Sequence, residues 1–274
     1  MERLGIIAGG GKLPYLVATL SEARGVEPVI VTLSGQDCDD LSRFRPVSFY
    51  VTQIESIIQY FLERKVTNIV MVGKVERPRI SPDLPVDKTA AQLLAQTLSE
   101  GDDAALRAIL AVMMSEGLQV IPLQSVIPDQ KLPSGYDTNP HSDYPHDSLV
   151  VAKRLHIALG ALDVGQSAII QGRRVLAIEG AEGTDNMIQR SAELRDPAQI
   201  SLFFKASKTA QNKMLDPPVM GPDTILLCAK AGINIIAIEA EHCVLAAPMQ
   251  EIEALCQAHD IRLLSVSFDE EEMA

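Results

Sequence analysis

Residues 4–14 read Leu4-Gly5-Ile6-Ile7-Ala8-Gly9-Gly10-Gly11-Lys12-Leu13-Pro14. A short apolar run, Leu4–Ala8, stops at three glycines, and Leu13–Arg24 then carries apolar residues at helical spacing. A buried strand, a tight turn and an amphipathic helix follow from that pattern. Glycines after a first strand let backbone N–H groups approach a phosphate at the next helix N-terminus. A phosphate-facing turn and a plain strand-to-helix turn both fit Gly9, Gly10 and Gly11. Neither the G-x-G-x-x-G fingerprint nor a Walker A sequence is present, which disfavours a nicotinamide-dependent oxidoreductase.

The same alternation continues outward. Strands are expected at Pro28–Leu33, Val47–Val51, Asn68–Val72 and Gln119–Leu123. Helices are expected at Ile54–Glu63, Lys88–Leu98 and Asp103–Ser115. Strands separated by helices of this length build βαβ units, and right-handed crossovers make a Rossmann-like, mostly parallel sheet. Residues 128–147 interrupt the pattern with Pro, Asp, Ser and His and no apolar period, and read as a linker. A functional loop is the competing reading. The second half restarts with a helix at Ser148–Leu159 and a hairpin of Ser167–Gln171 and Arg174–Ile178 around Gly172-Arg173. Further helices are expected at Thr184–Leu194, Asp223–Ala231 and Met249–His259, and strands at Ile200–Lys205, Asn234–Ala237 and Arg262–Ser265. The expectation is an α/β protein: an N-terminal Rossmann-like domain over 1–127, a linker over 128–147 and a C-terminal α/β catalytic domain over 148–274.

Composition narrows the function. The chain has 274 residues, 47% of them hydrophobic, no Trp, and a net charge of −12. An acidic surface repels nucleic acid, whose binders need basic faces. Cys38, Cys228, Cys243 and Cys256 are widely spaced, with no C-x-x-C pair, so buried free thiols in a reducing compartment are expected. No signal peptide and no run of about 18 apolar residues is seen, which points to a cytoplasmic protein touching a membrane at most peripherally.

Several polar segments fall at predicted strand ends. Gly73-Lys74-Val75-Glu76-Arg77-Pro78 follows the fourth strand, at the edge where open α/β sheets bind ligands. In Gly101-Asp102-Asp103, Asp102 suits a helix N-cap and Asp103 the first turn. Glu179-Gly180-Ala181-Glu182-Gly183-Thr184-Asp185 brings three carboxylates within seven residues. It could hold a hard divalent ion through oxygen, or Thr184 or Asp185 could cap a helix. The stretch from Lys205 to Gly221 is basic and then stiffened by Asp216-Pro217-Pro218. Its lysines could neutralise a diphosphate, and a surface loop would look similar. The five histidines have no metal-ligand spacing, and no G-x-S-x-G elbow marks a serine hydrolase.

Taken in order, LGIIAGGGKLP, VGKVERP, GDDAALRAI, LGALDVGQSAII, IEGAEGTDNMIQR and the K-x-x-K-x-x-Q…D-x-P…G run resemble the LpxI-type UDP-2,3-diacylglucosamine diphosphatases over nearly the whole chain. Each piece alone is weakly specific; their order makes the set strong. The resemblance implies two linked domains with the substrate between them, a role in lipid A biosynthesis, a divalent metal such as magnesium, and a homodimer. The family's essential aspartate falls on Asp216. Lys208, Gln211, Asp216 and Pro218 keep the family pattern, while Thr209, Asn212, Met214 and Pro217 depart from it. Met214 in place of Arg removes a planar five-donor fork.

The expected assignment is therefore hydrolysis of a UDP-linked diacylated sugar to UMP and a lipid sugar phosphate. Asp216 is placed as water activator or metal ligand, with Glu182 and Asp185 as co-ligands. Lys205, Lys208, Gln211 and Thr184 are placed on the substrate, and Gly9, Gly10, Gly11 and Lys74 toward its nucleotide or sugar phosphate. A non-catalytic sensor of nucleotide sugars or lipids on the same scaffold is the alternative, motivated by Asn212 and Met214.

Overall fold

Val29, Val31, Ile69 and Phe61 carry large apolar side chains at strand and helix periods, and all are buried. Their burial organises the first of two compact units, Met1–Ile127 and Pro128–Ala274, into which the chain divides. The computed structural model describes residues 2–75, 84–97, 101–143, 145–162, 164–207 and 217–268.

In the first unit, β1 (Arg3–Ala8), β2 (Glu27–Leu33), β3 (Val47–Phe49), β4 (Asn68–Val72) and β5 (Gln119–Val120) form one sheet in the order β3-β2-β1-β4-β5. Every pairing is parallel. Such a sheet must be covered on both faces. Its side chains alternate accordingly: Ile7, Val31 and Ile69 pack with α2 (Ile54–Glu63), α3 (Lys88–Thr97) and α4 (Gly101–Ser115). Their neighbours Ile6, Ile30 and Val70 are buried too, and α1 (Leu13–Ala23) packs on β1 and β2. The chain order reverses between β1 and β4, so the switch point where ligands bind in such sheets lies there. The strand expected at Gln119–Leu123 is shorter. Pro122 has no N–H for the ladder, and a single helical turn, α5 (Leu123–Val126), follows it. Asp102 lies within α4, described over Gly101–Ser115, rather than ahead of it.

The second unit holds α6 (His146–Ala161), β6 (Ser167–Gln171), β7 (Arg174–Ile178), α7 (Gly183–Ser191), β8 (Ser201–Lys205), β9 (Val219–Met220), α8 (Pro222–Ala231), β10 (Ile235–Glu239), β11 (Val244–Leu245), α9 (Met249–Ala258) and β12 (Arg262–Val266). Its main sheet runs β12-β10-β8-β6-β7. β12, β10 and β8 are parallel, and β6 is antiparallel to both β8 and β7. The expected hairpin turns at Gly172, whose φ is 57°. Every residue of β6, β8, β10 and β12 is buried, and the two faces alternate with a period of two. Phe203, Ile236 and Ile238 face the layer of α7, α8 and α9, and Leu202, Phe204 and Ala237 face α6. The two-residue strands β9 and β11 pair in parallel; they are too short to show a pattern in sequence.

The segment expected as a linker behaves otherwise over its described residues. Asp137 bridges Leu264 antiparallel, and the Thr138 N–H donates to Leu263 O at 3.1 Å and the Ser265 N–H to Tyr136 O at 2.9 Å. Arg262 donates twice to Asp137, at 3.0 and 2.7 Å, and once to Asp143 O. This segment therefore covers the free edge of β12, which would otherwise present unpaired backbone groups.

Candidate functional site

At the β1/β4 switch point the glycine turn is occupied by the protein itself. The N–H groups of Gly9, Gly10 and Gly11 donate to Val72 O, Lys74 O and Asp37 O at 2.8, 2.7 and 2.8 Å. Gly10 and Lys74 form an antiparallel bridge, and Gly11 bridges Cys38. A Cβ at Gly9 would meet Lys74 O at 2.6 Å, and one at Gly73 would meet Gly10 O at 2.5 Å. The structure thus brings Gly9, Gly10, Gly11 and Lys74 together as expected, but for a different reason. The glycines let three strand-end connections close on one another, and their N–H groups are not available to cradle a phosphate. The Lys74 side chain at this turn is exposed. Glu76, Arg77 and Pro78 lie outside the described residues, as do the side chains of Asp102 and Asp103.

The second sheet gathers side chains instead. Because β6 runs antiparallel, its first residue, Ser167, pairs with Lys205, the last of β8. β7 ends beside them, so Glu179, Lys205 and Glu239 all sit at the carboxyl edge of β7, β8 and β10. Glu179 is only 9% exposed. It accepts from Ser167 Oγ at 2.6 Å through Oε2 and from Thr184 Oγ1 at 2.8 Å through Oε1. Lys205, 7% exposed, donates from Nζ to Thr184 Oγ1 at 3.2 Å. Thr184 thus passes its proton toward Glu179 and turns a lone pair toward the ammonium. Burying both charges is tolerable because hydrogen bonds link them. The neighbouring Ser207 N–H donates to Glu239 Oε2 at 2.6 Å.

Local sequence explains the placement. Gly165 lies so close to Glu179 that a Cβ would stand 2.3 Å from its carbonyl oxygen. Gln166 O accepts from the Ala206 N–H at 2.9 Å. The Val164-Gly165-Gln166 stretch is therefore wedged between the ends of β7 and β8 and sets their spacing. Asp163 lies outside the described residues. Gly183, with a φ of 80°, turns the chain into α7 and delivers Thr184 to the edge.

The acidic loop divides its labour differently from the sequence expectation. Glu182, expected as a metal ligand, accepts two hydrogen bonds from Arg190 through Oε1, at 3.0 and 2.8 Å. Its own backbone N–H and then Arg190 hold its carboxyl below the ordinary value. Glu179, not Glu182, is the buried hub. Asp185 lies in the first turn of α7. Among the described residues no three His, Cys, Asp or Glu side chains converge, so they form no all-protein metal cage. Lys208, Gln211 and Asp216 lie outside the described residues, in the segment that leaves β8 after Ser207. The thiols are poor nucleophiles: burial raises Cys228 and pushes Cys243 up to about 12.

Comparison with known proteins decides the family. The LpxI N-terminal domain model matches residues 3–130, and the LpxI C-terminal domain model matches residues 136–264. A curated relative from Caulobacter vibrioides, UDP-2,3-diacylglucosamine pyrophosphatase LpxI, is 30% identical over 99% of both chains. The chain belongs to the LpxI family. Solved structures resemble this LpxI chain only at low overall similarity: N5-carboxyaminoimidazole synthase from Aspergillus clavatus, 11% identical, covers 71% of this chain and 44% of its own at a TM-score of 0.24. The biotin carboxylase domain of the Hydrogenobacter thermophilus 2-oxoglutarate carboxylase, 12% identical, covers 69% and 40% at a TM-score of 0.28. The chain spans less than half the length of either solved structure. No helix among the described residues is long and apolar enough to cross a membrane.

Proposed function

We propose that the chain hydrolyses the diphosphate of UDP-2,3-diacylglucosamine to UMP and 2,3-diacylglucosamine 1-phosphate, a step of lipid A biosynthesis. Full-length membership of the LpxI family supports the reaction class. The observation that carries the residue assignment is the Glu179–Thr184–Lys205 chain, built at the sheet edge from which residues 208–216 depart.

Hydrolysis requires water to attack phosphorus in line with the leaving phosphate, while charge on the equatorial and leaving oxygens is neutralised. Lys205, held by Thr184, supplies a fixed ammonium, and Lys208 a second one. Gln211 orients a phosphoryl oxygen. Asp216 positions the attacking water and takes its proton. Lys74 is assigned to the nucleotide or the sugar phosphate. A magnesium ion is part of this proposal. Such ions are held by one or two carboxylates together with substrate phosphates, so Asp185 and Asp216 are the residues left for it once Glu182 is engaged by Arg190. When bound, it would polarise phosphoryl oxygens.

The test is incubation of the purified protein with UDP-2,3-diacylglucosamine and magnesium, following UMP by chromatography. UMP release that EDTA abolishes is expected; no UMP under any condition overturns the reading. A homodimer and contact of a cytoplasmic protein with a membrane surface accompany the proposal, and light scattering and vesicle flotation test them.

A further inference from the structure

Ser207 carries a second polar group at the same edge. It is 2% exposed, and its Oγ has no hydrogen-bond partner among the described residues. Its backbone is fixed: the N–H donates to Glu239 Oε2 at 2.6 Å, and the preceding Ala206 N–H extends the ladder to Gln166 O at 2.9 Å. Because strand side chains alternate, Ser207 and Lys205 share one face and Ala206 takes the other. Ala206 accordingly packs into the apolar layer with Phe204. The face of Lys205 and Ser207 is that of Phe203, against α7 and α8. A buried hydroxyl left without a partner is costly, and it is tolerated where a ligand supplies the missing bond.

We infer that the Ser207 hydroxyl is a substrate-binding group that donates to a phosphoryl oxygen of the diphosphate, side by side with the Lys205 ammonium. The inference rests on the proposed diphosphate hydrolysis. An anion is the fitting ligand because Lys205 on this face is the cation of the edge, and because the two carboxylates there are engaged within the protein: Glu179 accepts from Ser167 and Thr184, and Glu239 Oε2 accepts from the Ser207 N–H. A phosphoryl oxygen offers acceptor lone pairs only, which matches a hydroxyl donor and an ammonium donor together. Glu239 acts as a positioning residue, since its carboxylate holds the peptide that carries the hydroxyl.

Ser207→Ala tests this in the full chain, with two readouts. Steady-state UMP release should show kcat/KM lowered roughly ten- to a hundredfold, the loss of one hydrogen bond to a charged oxygen. The melting temperature of the ligand-free variant should stay level or rise, because an unsatisfied buried hydroxyl has been removed. An unchanged kcat/KM, as when the hydroxyl merely meets an internal water, overturns the inference while wild-type turnover leaves the proposed reaction standing. A lowered melting temperature with proportionate loss of activity assigns Ser207 a structural role and also overturns it. Wild-type protein that releases no UMP defeats the underlying reaction instead.

Discussion

The two sheet edges of this chain solve opposite problems. In the first unit, the edge with the glycine-rich turn is closed by backbone: Gly9, Gly10, Gly11 and Gly73 fold three connections onto one another at distances no side chain would allow. In the second unit, the edge with no glycine fingerprint holds side chains: Glu179, Lys205 and Glu239 are buried at the ends of β7, β8 and β10, and Thr184 of α7 links Glu179 to Lys205 by hydrogen bonds. A glycine cluster after a first strand is thus a statement about close backbone approach, and what approaches can be the protein's own neighbouring strand as readily as a phosphate.

The comparison predicts that chemistry resides on the second edge and stability on the first. Asp216→Ala should lower UMP release roughly a thousandfold, on the scale of a lost general base, with an unchanged circular dichroism spectrum. Near-normal turnover would remove the catalytic assignment of Asp216. Gly73→Ala should cost about 3 kcal/mol of unfolding free energy, because φ is 95° and the new Cβ would press on Gly10 O. Urea titration checks it, and a neutral result would mean that the closure is loose. Lys205→Met should lose roughly ten- to a hundredfold in kcat/KM and lower the melting temperature as well, since it leaves the buried Glu179 carboxylate without its cation. A wild-type rate would break the assignment of Lys205. Glu182→Gln should change turnover by no more than roughly twofold, because its partner is an exposed arginine rather than the reacting group. A large, magnesium-dependent loss would return Glu182 to the metal.

Acid sharpens the contrast further. Hydrogen bonds from Arg262 hold the Asp137 carboxyl below its ordinary value. Its folded value is lower than its unfolded one, so this stability is present above roughly pH 4 and is lost as pH falls through the folded value. The glycine closure of the first unit has no titrating part. Unfolding followed between pH 5 and pH 2 should show the second unit losing stability in the wild type, with a flatter dependence in Asp137→Asn.

Much of the fold was legible because burial enforces period. β4 and α2 have the bounds expected from sequence, and the hairpin at Gly172 was readable from two apolar runs around a two-residue turn. The site was legible in part. Lys205 ends a strand and Thr184 opens the helix that follows one, positions that advertise function in α/β sheets, and they meet. Ser167 and Glu239 were missed because each is a lone polar residue at the end of an apolar run, indistinguishable from a strand terminus. Glu179 was seen only as one of three acids; the sequence has no way to show that Gly165 presses on it while Arg190 draws Glu182 away.

The amino-acid order alone determined the alternation of strands and helices, the two α/β halves and the family, because local periodicity and motif order need no knowledge of which segments meet. The tertiary structure alone decided that residues 133–138 clasp the edge of β12, that the glycine N–H groups are spent internally, and that Glu179 rather than Glu182 organises the second edge. Those outcomes depend on contacts between residues far apart in the chain, and a hydrogen-bonding group has no preferred partner until the fold has chosen its neighbours.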